Sequence, residues 1–89
     1  MKKDYIINDP LGLHARPAAV IVGMLAKCKS AITLTCNEKK TNAKSILGVM
    51  GMAIKNGALI SIEAIGEDEI TVFEKLEEIA NSQEPKLFR

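Results

Sequence analysis

Ala58-Leu59-Ile60-Ser61-Ile62-Glu63-Ala64 is the stretch that settles the architecture of this 89-residue chain. Ile60, Ile62 and Ala64 alternate with Leu59, Ser61 and Glu63, which predicts a strand with one face buried. Just upstream, Asn56-Gly57 closes an apolar run from Ile46 to Ile54. Ser45 precedes that run as an N-cap, so a short second helix is expected there. Its two internal glycines lower helix propensity by roughly 1 kcal/mol each relative to alanine. Further upstream, Ile32, Leu34 and Cys36 alternate with Thr33 and Thr35, predicting a half-buried strand over Ala31–Cys36. Asn37 to Lys40 reads as a polar turn, and Thr41 to Ala43 as a brief return strand. Near the start, Tyr5-Ile6-Ile7 opens a strand that Asp9-Pro10 stops, because proline cannot continue a ladder. Between them, Ala18 to Lys27 carries Ala18, Ile21, Val22 and Leu25 at helical spacing. Downstream of Gly66, Asp68 is expected to cap a third helix with an apolar stripe of Ile70, Phe73, Leu76, Ile79 and Ala80. Residues 83–89 are expected to form a loose C-terminal tail after a single domain spanning 1–89.

The resulting order, β-α-β-β-α-β-α, predicts an α+β fold in which helices cover one face of a four-stranded antiparallel sheet. Composition is that of an ordinary globular domain, 47% hydrophobic and 26% charged. No long apolar run suits a membrane span or a secretory leader, so a cytoplasmic location is expected. Charge is segregated: nine Lys/Arg stand against three Asp/Glu up to Ile60, and three against eight from Ser61 onward. The first part of the chain therefore favours anionic ligands or acidic partners. Nucleic acid is disfavoured, since Tyr5, Phe73 and Phe88 are too scattered to form a base-stacking platform. Cys28, Cys36 and a single histidine supply too few ligands for an ordinary zinc site, so no metal or cofactor is expected. Both cysteines read as small buried or half-buried hydrophobes.

The chemistry lies in Gly12-Leu13-His14-Ala15-Arg16-Pro17-Ala18. Pro17 suits a first helical turn, where a missing N–H costs nothing. His14, the only histidine, then stands at or next to an N-cap, with Arg16 close in sequence. Open backbone donors, the positive end of the helix dipole and a guanidinium together suit a phosphoryl group. A lone imidazole in that place can accept the group and pass it on, although by position alone His14 reads equally as a helix cap. Ser45 is likewise explained by capping alone, yet a phosphate there would be tolerated by the same dipole. Val20 flanks an exposed, small-residue face of the first helix, while Ile46, Leu47 and Met50 form an apolar patch beside Ser45. These four are the candidate docking residues.

Two blocks, Gly12–Ala18 and Lys44-Ser45-Ile46-Leu47-Gly48-Val49-Met50, carry a resemblance to a known family. The chain resembles HPr, the histidine-containing phosphocarriers of the bacterial sugar phosphotransferase system, over nearly its whole length. The resemblance implies an open-faced β-sandwich and a carrier that is itself no enzyme. It implies that enzyme I phosphorylates His14 on Nδ1, that Arg16 contacts the phosphate, and that IIA domains of sugar permeases receive it. It further implies that an ATP-dependent kinase/phosphorylase modifies Ser45, with a catabolite control protein as partner of that form. A monomer is expected, because the docking surfaces must stay free. The competing reading is a regulatory binding module that acts through Ser45 without carrying phosphate.

Overall fold

Two polar segments form the edges of one antiparallel sheet. The computed structural model, which describes residues 1–82 and 86–88, places β1 (Lys2–Ile6), β2 (Ala31–Cys36), β3 (Lys39–Asn42) and β4 (Leu59–Ile65) in the order β1-β4-β2-β3. Tyr5 pairs with Ile60, and Leu34 pairs with Ile62, so β4 lies between its two longest partners. The helices α1 (Ala15–Leu25), α2 (Ile46–Gly51) and α3 (Glu69–Ser82) complete the expected β-α-β-β-α-β-α order. Ile32, Leu34, Ile60, Ile62 and Ala64 are buried with Ala18, Ile21, Val22 and Leu25 of α1. Val72, Phe73, Leu76 and Ala80 of α3 complete the same core. Burying each large aliphatic side chain contributes about 1.5–3 kcal/mol, so the β4 alternation supplies much of the driving force for the sheet. Leu59, Glu63 and Ile65 face the other way and are exposed.

The edges differ from the sequence expectation. β1 begins at Lys2 rather than Tyr5, and β3 covers Lys39–Asn42 rather than Thr41–Ala43. Edge strands need not alternate apolar residues, and lysines there discourage pairing with another chain. The turn between β2 and β3 contracts to Asn37-Glu38, both with positive φ (51° and 68°), while Cys36 pairs with Lys39. That is the two-residue hairpin geometry whose twist matches the flanking strands. α1 starts three residues earlier than expected, and α2 stops at Gly51, short of the end of its apolar run. In α3, Ile70 is 64% exposed and Val72 takes its place in the core. Ile70 lies roughly 100° around the helix from the centre of the buried stripe.

The last described residues are held in place, contrary to the expected loose tail. Leu87 and Phe88 are buried, Phe88 bridges to Ile7, and Asn8 donates its N–H to the Leu87 carbonyl at 2.6 Å. Tyr5 stacks on Phe88 with ring centroids 4.4 Å apart. Burial, and secondarily the Glu77 carboxylate, pushes the Tyr5 hydroxyl up to about 12. Gln83, Glu84, Pro85 and Arg89, the other members of that expected tail, lie outside the described residues.

Asp68 stands at the expected N-cap of α3, its carbonyl accepting the Val72 N–H at 3.0 Å, and its side chain has a second task. Its carboxylate reaches across to the loop before β2, accepting the N–H groups of Lys29 at 2.8 Å and Ser30 at 2.9 Å together with the Ser30 hydroxyl. Gly66 packs so closely on Ser30 that an added Cβ would lie 2.7 Å from the Ser30 Cα. The Ser30 hydroxyl above all, then the Lys29 N–H, holds the Asp68 carboxyl down at about 2. A carboxyl more acidic in the folded than in the unfolded chain stabilises the fold above its unfolded pKa and ceases to do so on protonation. The stability advantage of the native protein over Asp68→Asn is therefore expected to be constant above about pH 5. It should shrink as pH falls from 3.8 towards 2, as read by urea denaturation across that range.

Candidate functional site

Gly12 sets up the histidine. It adopts φ +70°, and a Cβ there would stand 2.3 Å from the Ile54 carbonyl oxygen, so both conformation and space call for glycine. Leu13 then donates its N–H to the same Ile54 oxygen at 2.9 Å, with its side chain buried in the core. Asp9 shapes the preceding loop, its Oδ1 accepting from Leu11 N–H at 2.9 Å and its carbonyl from Gly12 N–H at 2.8 Å. The loop is thus fixed at both ends before the chain turns into α1.

His14 is the N-cap of α1, in extended conformation, and its side chain makes no capping hydrogen bond. Its carbonyl accepts the first helical bond, from Ala18 N–H at 3.0 Å. Pro17 has no N–H to satisfy, so the open donors of the first turn are those of Ala15 and Arg16. No acidic residue occupies that turn. The imidazole is 33% exposed, with Nε2 3.5 Å from Asp9 Oδ1. Arg16 is exposed at the second helical position, and no salt bridge engages its guanidinium among the described residues. A partly exposed imidazole, two open N–H groups and a free guanidinium at a helix N-terminus make a receptive place for a dianionic group.

Ser45 occupies the N-cap of α2, and its Oγ accepts from Gly48 N–H at 3.0 Å. Leu47 is 83% exposed, and Ile46 and Met50 are exposed beside it, while Val49 points into the core. Val20 is exposed on α1, where it borders a groove shared with Thr71, Lys75 and Ile79 of α3. The docking residues expected from sequence thus fall into two places, three on α2 and one at the α1–α3 groove. The two capped helices are linked, since the segment after α2 carries Ile54, on which the histidine loop rests. Lys44, next to Ser45, donates from Nζ to the Cys28 carbonyl beyond the end of α1 at 2.8 Å. Asp9 is the member of this site that sequence reasoning missed. The available signal was its isolation, for no other acidic residue occurs between Asp4 and Glu38.

Residues 1–82 match the family model described as the PTS HPr component phosphorylation site. The chain belongs to the HPr family. Its relatives include the phosphocarrier protein HPr of Lysinibacillus sphaericus, 46% identical over 74 residues that cover 83% of this chain and 84% of that one. The structure is similar to that of the histidine-containing phosphocarrier protein of a mycoplasma, with a TM-score of 0.91 and 40% identity. That likeness covers 100% of this chain and 99% of the other. It is also similar to Crh, the catabolite repression protein of Bacillus subtilis solved as a domain-swapped dimer, with a TM-score of 0.68, 40% identity and 82% and 84% coverage. HPr membership assigns a phosphocarrier role in the phosphotransferase system, and the fold is the open-faced sandwich of that family. Among the described residues no helix is long and apolar enough to cross a membrane.

Replacing Gly12 by alanine places a methyl group against the Ile54 carbonyl in a backbone conformation alanine disfavours. Gly12→Ala is expected to lower stability by about 2–3 kcal/mol. Urea denaturation measures the loss, and the Leu13 amide should lose protection from hydrogen exchange in the same variant.

Proposed function

We propose that His14 accepts a phosphoryl group from phosphorylated enzyme I and passes it to the IIA domains of sugar permeases. The observation that carries this reading is the partly exposed imidazole at the N-cap of α1, beside unfilled backbone donors, in a chain of the HPr family. Nδ1 is the accepting nitrogen in this proposal, since it is the one not turned to Asp9. The Ala15 and Arg16 N–H groups and the Arg16 guanidinium stabilise charge on the transferred group's oxygens. The protein is a substrate of its partners and has no turnover of its own. It works in the cytoplasm as a monomer.

Ser45 is the regulatory position in this reading. An ATP-dependent kinase/phosphorylase places a phosphate at the N-terminus of α2, where the helix tolerates it. The new dianion stands beside Ile46, Leu47 and Met50, and it repels an acidic partner that docks there. The modified form becomes available to a catabolite control protein. The similarity to Crh supports a second reading, in which the chain acts through Ser45 and its patch while His14 carries nothing.

Incubation with phosphoenolpyruvate and enzyme I separates the two. The carrier reading expects an acid-labile, base-stable phosphate that disappears in His14→Ala; an unlabelled native protein refutes it. Ser45→Asp keeps a capping side chain, so its stability should stay within about 0.5 kcal/mol of the native protein. Its rate of phosphorylation by enzyme I should nevertheless fall by about tenfold, measured by rapid quench. A native rate in that variant would remove Ser45 from the control of the carrier.

A further inference from the structure

Asp9 stands on the side of the imidazole away from the accepting nitrogen. Its Oδ1 lies 3.5 Å from Nε2 of His14, and the same oxygen accepts the Leu11 N–H at 2.9 Å. That second bond matters, because it removes the freedom of the carboxylate and gives it a fixed position in the loop. Its main-chain carbonyl is tied as well, by Gly12 N–H at 2.8 Å. The ring is therefore flanked by an anion that the loop holds still, three residues from the glycine that sets the histidine's own position.

We propose that Asp9 is a positioning residue for phosphoryl transfer, holding the His14 proton on Nε2 so that Nδ1 keeps a lone pair. The inference rests on the carrier reading given above for its purpose, and on the Asp9–His14 geometry for its substance. A neutral imidazole has one protonated nitrogen, and the tautomer follows the hydrogen-bonding or charged partner of each. A carboxylate facing Nε2 favours the form with hydrogen there. In the accepting step the Nδ1 lone pair forms the bond to phosphorus, and the donor's bond to phosphorus breaks with its electron pair leaving on the donor. The proton on Nε2 does not move. The phosphorylated ring then carries a positive charge that faces Asp9, and this offsets part of the cost of forming it. In the delivering step the bond from phosphorus to Nδ1 breaks and its electron pair returns to Nδ1. The departing group is neutral imidazole only because Nε2 still bears hydrogen; otherwise it would be a high-energy imidazolate. A carboxylate that orients an imidazole without itself taking the proton has the same logic as the buried aspartate of a hydrolytic triad. Here it is more exposed and acts at longer range, so a smaller effect is expected.

Asp9→Asn and Asp9→Ala test this. The amide retains an oxygen for Leu11 N–H, so Asp9→Asn should melt like the native protein while losing the charge. Nitrogen-15 NMR of the His14 ring in alkaline buffer reads the tautomer without any phosphate present. The Nε2-protonated fraction should be highest in the native protein, lower in Asp9→Asn and lowest in Asp9→Ala. Phosphorylation by enzyme I and delivery to a IIA domain should both slow by about fivefold in Asp9→Asn, in keeping with a partly exposed charge pair. Native tautomer and native rates in both variants overturn the proposal. A slower rate with an unchanged tautomer also overturns it, because Asp9 would then act on the partner rather than on the ring. An altered tautomer with native rates overturns the role in transfer. Should the native protein accept no phosphate, the carrier reading fails by itself, and the ring measurement still decides whether Asp9 holds the proton.

Discussion

Leu13 donates its N–H to the Ile54 carbonyl, and this bond decides where the imidazole stands, because the next residue is His14 and the one before must be flush against the same oxygen. The carbonyl is presented by an uncommon piece of backbone. Ala53 takes φ 50° immediately after the last turn of α2, a left-handed conformation that costs an alanine about 1 kcal/mol or more. That turn aims Ile54 back at the start of α1 while its side chain enters the core. The helix bearing Ser45 and the helix bearing His14 are consequently set by one short connection. A change in the geometry of either is transmitted through two or three peptide units rather than through the whole sheet.

Charge and chemistry are arranged on the same principle of local placement. The excess of lysine and arginine belongs to the part of the chain that builds α1, α2 and the strands β1 to β3, while the acidic surplus begins within β4, from Ser61 onward. Within the basic part Asp9 is the exception nearest the ring, and it is held by backbone donors rather than by a lysine. In the proposed carrier, an anion beside the accepting ring is unfavourable unless it engages the ring's other nitrogen. Its orientation towards Nε2 satisfies that requirement. Asp68 follows the same pattern at the far end of α1, where backbone N–H groups and a serine hydroxyl hold a carboxylate against a loop.

The central strands and the buried face of α1 were legible because burial on one side imposes a period on the sequence. β2 and β4 could be read residue by residue from their alternation, and both helix caps from His14 and Ser45. The edges were not. Lys2-Lys3-Asp4 and Lys39-Lys40-Thr41-Asn42 gain their strand character from hydrogen bonds to a neighbour, and their side chains carry no trace of it. Ile70 misled for the opposite reason, since an apolar residue near a helix start was counted as core although its angle faces solvent. Sequence alone gives Asp9 and Asp68 the local roles of strand stop and helix cap, and says nothing of what their carboxylates reach. Their partners, His14 for one and Ser30 for the other, are chosen by the loop geometry in the first case and across a sequence separation of 38 in the second. Neither pairing leaves a spacing rule behind.

The bond from Asn8 to Leu87 has a mechanical corollary. Asn8 is the peptide unit just before Asp9, and Leu87 is followed by Phe88, whose ring stacks on Tyr5. A tether fastened past Phe88, such as an affinity handle, a fluorophore or a fused domain, would pull on the very backbone that carries the carboxylate beside the imidazole. Cargo is better attached at the β2–β3 hairpin, where Asn37 and Glu38 project from the opposite edge of the sheet and no strand leads to the histidine.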